Sequence, residues 1–190
     1  EILINSLEIE GVERIFCVPG ESFIAALDSL RDSKIETIVC RQEGSAAMMA
    51  EASAKLTGTP GVCFTTRGPG TTNAASGIHV AAQDSTPLVL LIGQVARDTL
   101  GREGFQEIDY SLFLGSIAKH VEQVHDVMRI PEVMSRAFHY AVNGRPGPVV
   151  VVFPEDVLHE SNSVSDLLPY HQVSSNISNE DLKKFRNLLE

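Results

Sequence analysis

Strand-length apolar runs and helix-patterned stretches alternate six times along this chain, and that alternation restricts the fold more than any other feature. The apolar runs cover residues 14–18, 35–40, 61–66, 88–92, 117–124 and 149–153. The last is apolar throughout, as a strand covered on both faces must be. Between them the spacing predicts helices over 2–10, 22–31, 43–56, 71–83 and 130–142, with a short one over 110–114. Phe23, Ala26, Leu27 and Leu30 share one helix face. Gly11 and Gly58 are suitable helix stops, and Pro131 stands in a first turn, where its missing N–H costs nothing. Repeated strand–helix–strand units give a mostly parallel sheet with helices on both sides. Residues 94–107 have no period and read as a long loop.

In such sheets ligands bind beyond the carboxyl ends of the strands. The candidate segments are therefore Pro19-Gly20-Glu21-Ser22, Arg41-Gln42-Glu43, Thr66 through Asn73, and Gly93-Gln94. Glu43 stands where the second strand gives way to the third helix. An acid there is ordinarily a cap or a partner of the helix dipole. The small residues Gly44, Ser45, Ala46 and Ala47 leave room for something flat against this helix start, and Met48 and Met49 offer a soft apolar wall. A carboxyl that loses water in such a place favours its neutral form and can hydrogen-bond a ring nitrogen, steering a heterocycle's tautomer. Gly68-Pro69-Gly70 before a helix has the look of a phosphate loop, but Asn73 stands where a dinucleotide turn needs its third glycine. Arg67 beside that turn either meets an anionic substrate or pairs on the surface.

Composition removes other classes. The net charge is −10 and the 15 basic residues are scattered, so no nucleic-acid surface is expected. No run is long enough to span a membrane, and no secretory leader pattern is visible. The first residue is Glu and the chain opens inside a helical pattern, which reads as a piece of a longer protein. Cys17, Cys40 and Cys63 lie in apolar strand-like stretches, and an odd count argues for buried free thiols in a reducing, cytoplasmic setting. The six histidines lack metal-ligand spacing, so no metal site is expected within the chain. His79, inside an Ala-rich helix, reads as a packed residue. Residues 1–160 read as one domain, 161–177 as a polar linker, and 178–190 as the N-capped first helix of a following domain.

Several segments, taken in order, carry a family resemblance. They are Phe16-Cys17-Val18-Pro19-Gly20, Arg41-Gln42-Glu43-Gly44, Gly68-Pro69-Gly70-Thr71-Thr72-Asn73, Asp84-Ser85-Thr86-Pro87, Gly93-Gln94, Gly104-Phe105-Gln106-Glu107, Lys119-His120 and Gly144-Arg145-Pro146-Gly147-Pro148. Together they resemble the N-terminal, pyrimidine-binding domain of thiamine-diphosphate enzymes, most closely acetolactate synthase catalytic chains. The resemblance implies a three-layer α/β/α sandwich around a six-stranded, mostly parallel sheet. It implies that Glu43 bonds N1′ of the aminopyrimidine and favours its imino tautomer, which takes the C2 proton of the thiazolium. The cofactor then attacks a 2-oxo acid, and carbon dioxide leaves. Pro19, Gly20, Thr66, Gly68, Pro69, Gly70 and Asn73 would line the cofactor. Glu21, Ser22, Gln94, Phe105, Gln106 and Lys119 would meet substrate.

The same resemblance implies magnesium and diphosphate held by a C-terminal domain, and a homodimer or homotetramer with the site at the subunit interface. The isolated domain is then inactive, and a flavin in the whole protein stays open. Alanines 46, 47, 50, 74, 75, 81 and 82 would suit close helix contact at such an interface. Glu21-Ser22 departs from the small pair that acetolactate synthases carry after Pro-Gly. Pyruvate-decarboxylase-like members have an acid there, so a 2-oxo-acid decarboxylase or another thiamine-diphosphate lyase is the alternative. A non-catalytic domain keeping the fold is a further one.

Overall fold

The computed structural model describes residues 1–174 and 176–190. In chain order the elements are α1 (Ile2–Ile9), β1 (Arg14–Cys17), α2 (Ile24–Arg31), β2 (Glu36–Val39), α3 (Glu43–Thr57), β3 (Gly61–Thr65) and α4 (Pro69–Asp84). Then come β4 (Leu88–Gln94), α5 (Tyr110–Leu114), β5 (His120–Gln123), α6 (Ile130–Val142), β6 (Pro148–Pro154), α7 (Glu155–His159) and α8 (Asn179–Leu189). All six expected strands form, and every pairing is parallel. Their order in the sheet is β2-β1-β3-β4-β6-β5. The edge strands β2 and β5 are only four residues long, shorter than their apolar runs, which limits the unpaired edge they present.

Right-handed crossovers dictate which helices share a face. Steps from β2 to β3, β3 to β4 and β4 to β5 run one way along the sheet. Those from β1 to β2 and β5 to β6 run the other way. The helices α3, α4 and α5 must therefore cover one face, and α2 and α6 the opposite one. The two cores obey this. Ile15, Val62, Phe64, Val89, Leu91, Val149 and Val151 pack against α1, α2 and α6. Their sequence neighbours Phe16, Cys63, Leu88, Leu90, Val150 and Val152 pack against α3, α4 and α5. The strict alternation of side chains, all buried on both sides in β3, β4 and β6, is why these strands read as unbroken apolar runs.

Helices α3 and α4 make a close pair. Gly77 has no side chain because Ala47 occupies the space. A Cβ there would lie 2.5 Å from the Ala47 Cβ and 3.0 Å from the Met48 backbone nitrogen. Ala46, Ala47, Ala50, Ala74 and Ala81 are thus buried within this chain, in its own core, while Met48 and Met49 face outward. Gly77→Ala should lower stability by about 1–2 kcal/mol. The overpacking penalty of ~1–3 kcal/mol against backbone exceeds the gain of roughly 1 kcal/mol in helix propensity. A downward shift of the urea midpoint with unchanged slope is the expected readout. The buried carboxylate of Glu51, on the same helix, accepts from Thr86 at 2.9 Å and pairs with Lys55 at 2.6 Å.

The three cysteines are free and buried. Burial pushes the Cys17 thiol up to about 11 and raises Cys40 and Cys63 as well. At pH 8 a thiol with a pKa of about 11 is roughly one part in a thousand thiolate, the reactive form. Ellman's reagent at pH 8 should therefore find fewer than one reactive thiol per native chain and three after urea. No helix among the described residues is long and apolar enough to cross a membrane.

Candidate active site

The chain steps from β1 to β2 on one side and then to β3 on the other, so the strand order reverses between β1 and β3, the switch point at whose carboxyl ends ligands bind in such sheets. Pro19 through Ser22 flank it on one side and Thr66 through Gly70 on the other. The segment after β1 is fixed by close packing. A Cβ on Gly20 would collide with Thr66, and one on Gly93 with Ser22. Ser22 is buried, its hydroxyl 2.8 Å from that of Thr66, and Phe23 stacks on Phe64 with ring centroids 4.1 Å apart.

Glu43 opens α3 at the same end of the sheet. The cap of this helix is Gln42, whose Oε1 accepts from the Ser45 N–H at 2.8 Å. The capping duty that an acid at a helix start ordinarily performs is already taken, and Glu43 is left for other work. Its Oε2 accepts from the Asn73 side-chain amide at 3.0 Å. Its Oε1 accepts no hydrogen bond from a described side chain and looks toward Gly70. A Cβ on Gly70 would come within 2.7 Å of Thr66 Cγ2 and 3.4 Å of Glu43 Oε1. The carboxylate is half-buried, and the missing side chain of Gly70 lets the turn before α4 lie close against Thr66 and Glu43. One oxygen is oriented by an amide and the other has no described side-chain donor, which leaves an acceptor for the ring nitrogen of a flat heterocycle, so the residues present fit an aminopyrimidine.

The turn before α4 is held from behind. Gly68 has φ +52° and ψ −113°, a region closed to other residues, and donates its N–H to the buried Tyr110 hydroxyl at 3.0 Å. Burial raises the Tyr110 phenol pKa. Gln106, itself at φ +62°, lays its backbone against Gly68. Phe105 beside it is 72% exposed. The loop between β4 and α5 is tied down by Gln94, whose Nε2 donates to the Ile108 carbonyl at 2.9 Å and whose Oε1 accepts from the Val95 N–H. Glu107 accepts from the amides of Gly101 and Gly104, which hold its carboxyl below the usual range.

The structure thus gathers Glu43, Asn73, Gly70, Thr66, Gly20, Gly68, Gln106, Phe105 and Glu21 at one end of the sheet. Ser22 and Gln94 are there too, but buried and bonded to protein partners. Lys119 is not brought to this end. It precedes β5, and its ammonium donates to the carbonyls of Tyr140, Asn143 and Arg145 at 2.6, 2.5 and 2.9 Å, closing the C-terminus of α6. Partial burial lowers its pKa. Sequence reasoning missed the cap by Gln42 and the phenol of Tyr110, and Arg67 is buried where a surface or substrate contact was expected. The polar Gln before Glu43 was a readable cap signal. Tyr110 carried none, since its partner lies 42 residues away.

Comparison with known proteins agrees with this geometry. The family described as thiamine pyrophosphate enzyme, N-terminal TPP binding domain, matches residues 1–113. The probable acetolactate synthase large subunit of Methanocaldococcus jannaschii is 43% identical over 157 residues, which are 83% of this chain and 27% of that protein. The acetolactate synthase isozyme 3 large subunit of Escherichia coli is 41% identical over 90% of this chain and 29% of its own length. The chloroplastic acetolactate synthase of Arabidopsis thaliana is 42% identical over 83% of this chain and 24% of its own. The chain therefore spans about a quarter to a third of the length of these curated relatives. With six parallel strands, a switch point between β1 and β3 and a family match across more than half its residues, the chain belongs to the N-terminal TPP-binding domain family of thiamine pyrophosphate enzymes.

Proposed function

We propose that this domain holds the aminopyrimidine of thiamine diphosphate against Glu43 in an acetolactate-synthase-like enzyme that decarboxylates a 2-oxo acid and joins the product to a second carbonyl compound. The observation that carries the reading is the Glu43 carboxylate: not engaged in capping α3, oriented by Asn73 at 3.0 Å, with its second oxygen turned toward Gly70 and without a described side-chain donor. When bound, the cofactor supplies a stabilised carbanion. The chain's own residues bind and aim it. Glu43 would hold a proton at the pyrimidine N1′, Asn73 would fix the carboxyl's direction, and Pro19, Gly20, Thr66, Gly68, Pro69 and Gly70 would wall the ring. Glu21, Phe105 and Gln106 stand at the rim for substrate, with Ser22 and Gln94 supporting from beneath. Lys119 has no part in the site within this chain.

The remaining features of the reading rest on the resemblance to these relatives. Magnesium and the diphosphate would be bound by a C-terminal domain, the active unit would be a homodimer or homotetramer with its site between subunits, and α8 would begin a following domain. Free buried thiols support a reducing, cytoplasmic setting. The test is release of carbon dioxide by the full-length protein, supplied with thiamine diphosphate and magnesium, from a panel of 2-oxo acids. A carboligated product is expected. Free aldehyde alone would shift the reading to a decarboxylase, and no release from any acid would sink it.

A further inference from the structure

Arg67 is used by none of the chemistry above, yet it is among the few charged side chains that the fold buries, at 6% exposure. It lies two residues past the end of β3. Its Nε donates to the Phe105 carbonyl at 3.1 Å, in the loop after β4. Its Nη2 lies 3.2 Å from Glu21 Oε2, after β1, and its Nη1 lies 3.4 Å from Glu155 Oε2, after β6. The guanidinium carbon also sits 5.8 Å from the centre of the Phe105 ring. One planar fork thus ties together segments from the carboxyl ends of all four central strands.

We propose that Arg67 is the positioning residue of the site's rim, setting Glu21 and the Phe105–Gln106 segment in register with the Gly68 turn. The inference rests on the functional reading above. Its physical basis is geometric. The three acceptors lie on three separate segments, and Nε, Nη1 and Nη2 of one rigid fork each reach one of them, a spread that a single ammonium nitrogen does not offer. Gln106 is held at φ +62°, a conformation that persists only where the surroundings impose it, and here the Arg67 bond to the preceding carbonyl and the backbone of Gly68 do so. Removing the guanidinium takes the donor from the Phe105 carbonyl and the ion-pair partner from Glu21 and Glu155, and nothing else described ties Phe105 to β3.

Hydrogen exchange and kinetics on the full-length protein test this. The loop amides of Thr99, Arg102 and Glu107 are bonded within the loop and report its order. In Arg67→Met, exchange of the peptide over residues 96–109 should rise on the order of 10-fold while β3 and β4 stay protected. Arg67→Lys should do nearly the same, and Glu155→Gln, a milder change in case the first variant folds poorly, should give a smaller rise. With cofactor and substrate, kcat for carbon dioxide release should fall roughly 10–100-fold in Arg67→Met, the size expected for misplaced rim groups. Thiamine diphosphate affinity should change less than about 3-fold, because the Glu43–Asn73 contact is untouched. Unchanged loop exchange in both Arg67→Met and Glu155→Gln overturns the proposal. So does faster exchange with unaltered kcat, or a parallel fall in kcat and cofactor affinity, which marks a merely structural role. If the wild type turns over no 2-oxo acid, the functional reading fails and takes the catalytic half of this inference with it, while the exchange data still decide the tether.

Discussion

Glu43→Gln in the full-length protein is expected to lower turnover of a 2-oxo acid by about 10²–10⁴-fold, the range for losing a positioned acid–base group. The substitution is isosteric. The glutamine carbonyl oxygen still accepts from Asn73, and the cap on α3 belongs to Gln42 and is unaffected. Folding and thiamine diphosphate affinity should therefore change little, with affinity shifting by less than about 10-fold, worth roughly 1.4 kcal/mol. The loss should fall on kcat, because in the proposed function the carboxyl acts on the cofactor and not on substrate binding. Isothermal titration of cofactor beside steady-state carbon dioxide release separates the two. Wild-type turnover in the mutant would remove Glu43 from the mechanism. Asn73→Ala should show the same pattern more weakly, since it frees the carboxylate without deleting it.

Phe64→Ala should cost about 3–5 kcal/mol of stability, the range for deleting a fully buried aromatic ring. Phe64 is 0% exposed, and its stack on Phe23 adds ~1 kcal/mol beyond burial. The damage reaches the site as well. Phe23 closes the turn that carries Glu21 and Ser22, so losing its ring partner loosens the segment after β1. For a chain of this size the melting temperature should drop by on the order of 10 °C. Leu56→Ala is the natural control: that side chain is 88% exposed and its loss should stay within about 0.5 kcal/mol. Equal effects of the two substitutions in urea unfolding would mean that the packing described for β3 is wrong.

Much of the fold was legible because it is written in short-range periodicity. Strands β3, β4 and β6 are apolar on both faces, and each helix between them has its own repeat, so their existence and order could be read without contacts. Departures occurred where local signals are weak. Helix α4 starts at Pro69, two residues before the expected start, because proline suits a first helical position. Helix α7 was missed, since five residues after a strand are too few to show a period. The candidate site was legible in part for the same reason, since the strand ends name the loops where a ligand is to be sought and Glu43 follows one of them.

Arg67 and Lys119 mark the boundary. Each is a lone basic residue at a strand end, and no local pattern separates them. Arg67 finds partners 38, 46 and 88 residues away and becomes buried at the carboxyl ends of the central strands. Lys119 finds three carbonyls at the far end of the sheet. The order of strands and helices along the chain and the parallel sheet were set by residue pattern alone. Which polar groups are committed to one another, and which are left for a ligand, was decided only when distant segments met, because a hydrogen bond between remote residues leaves no period in the sequence that makes it.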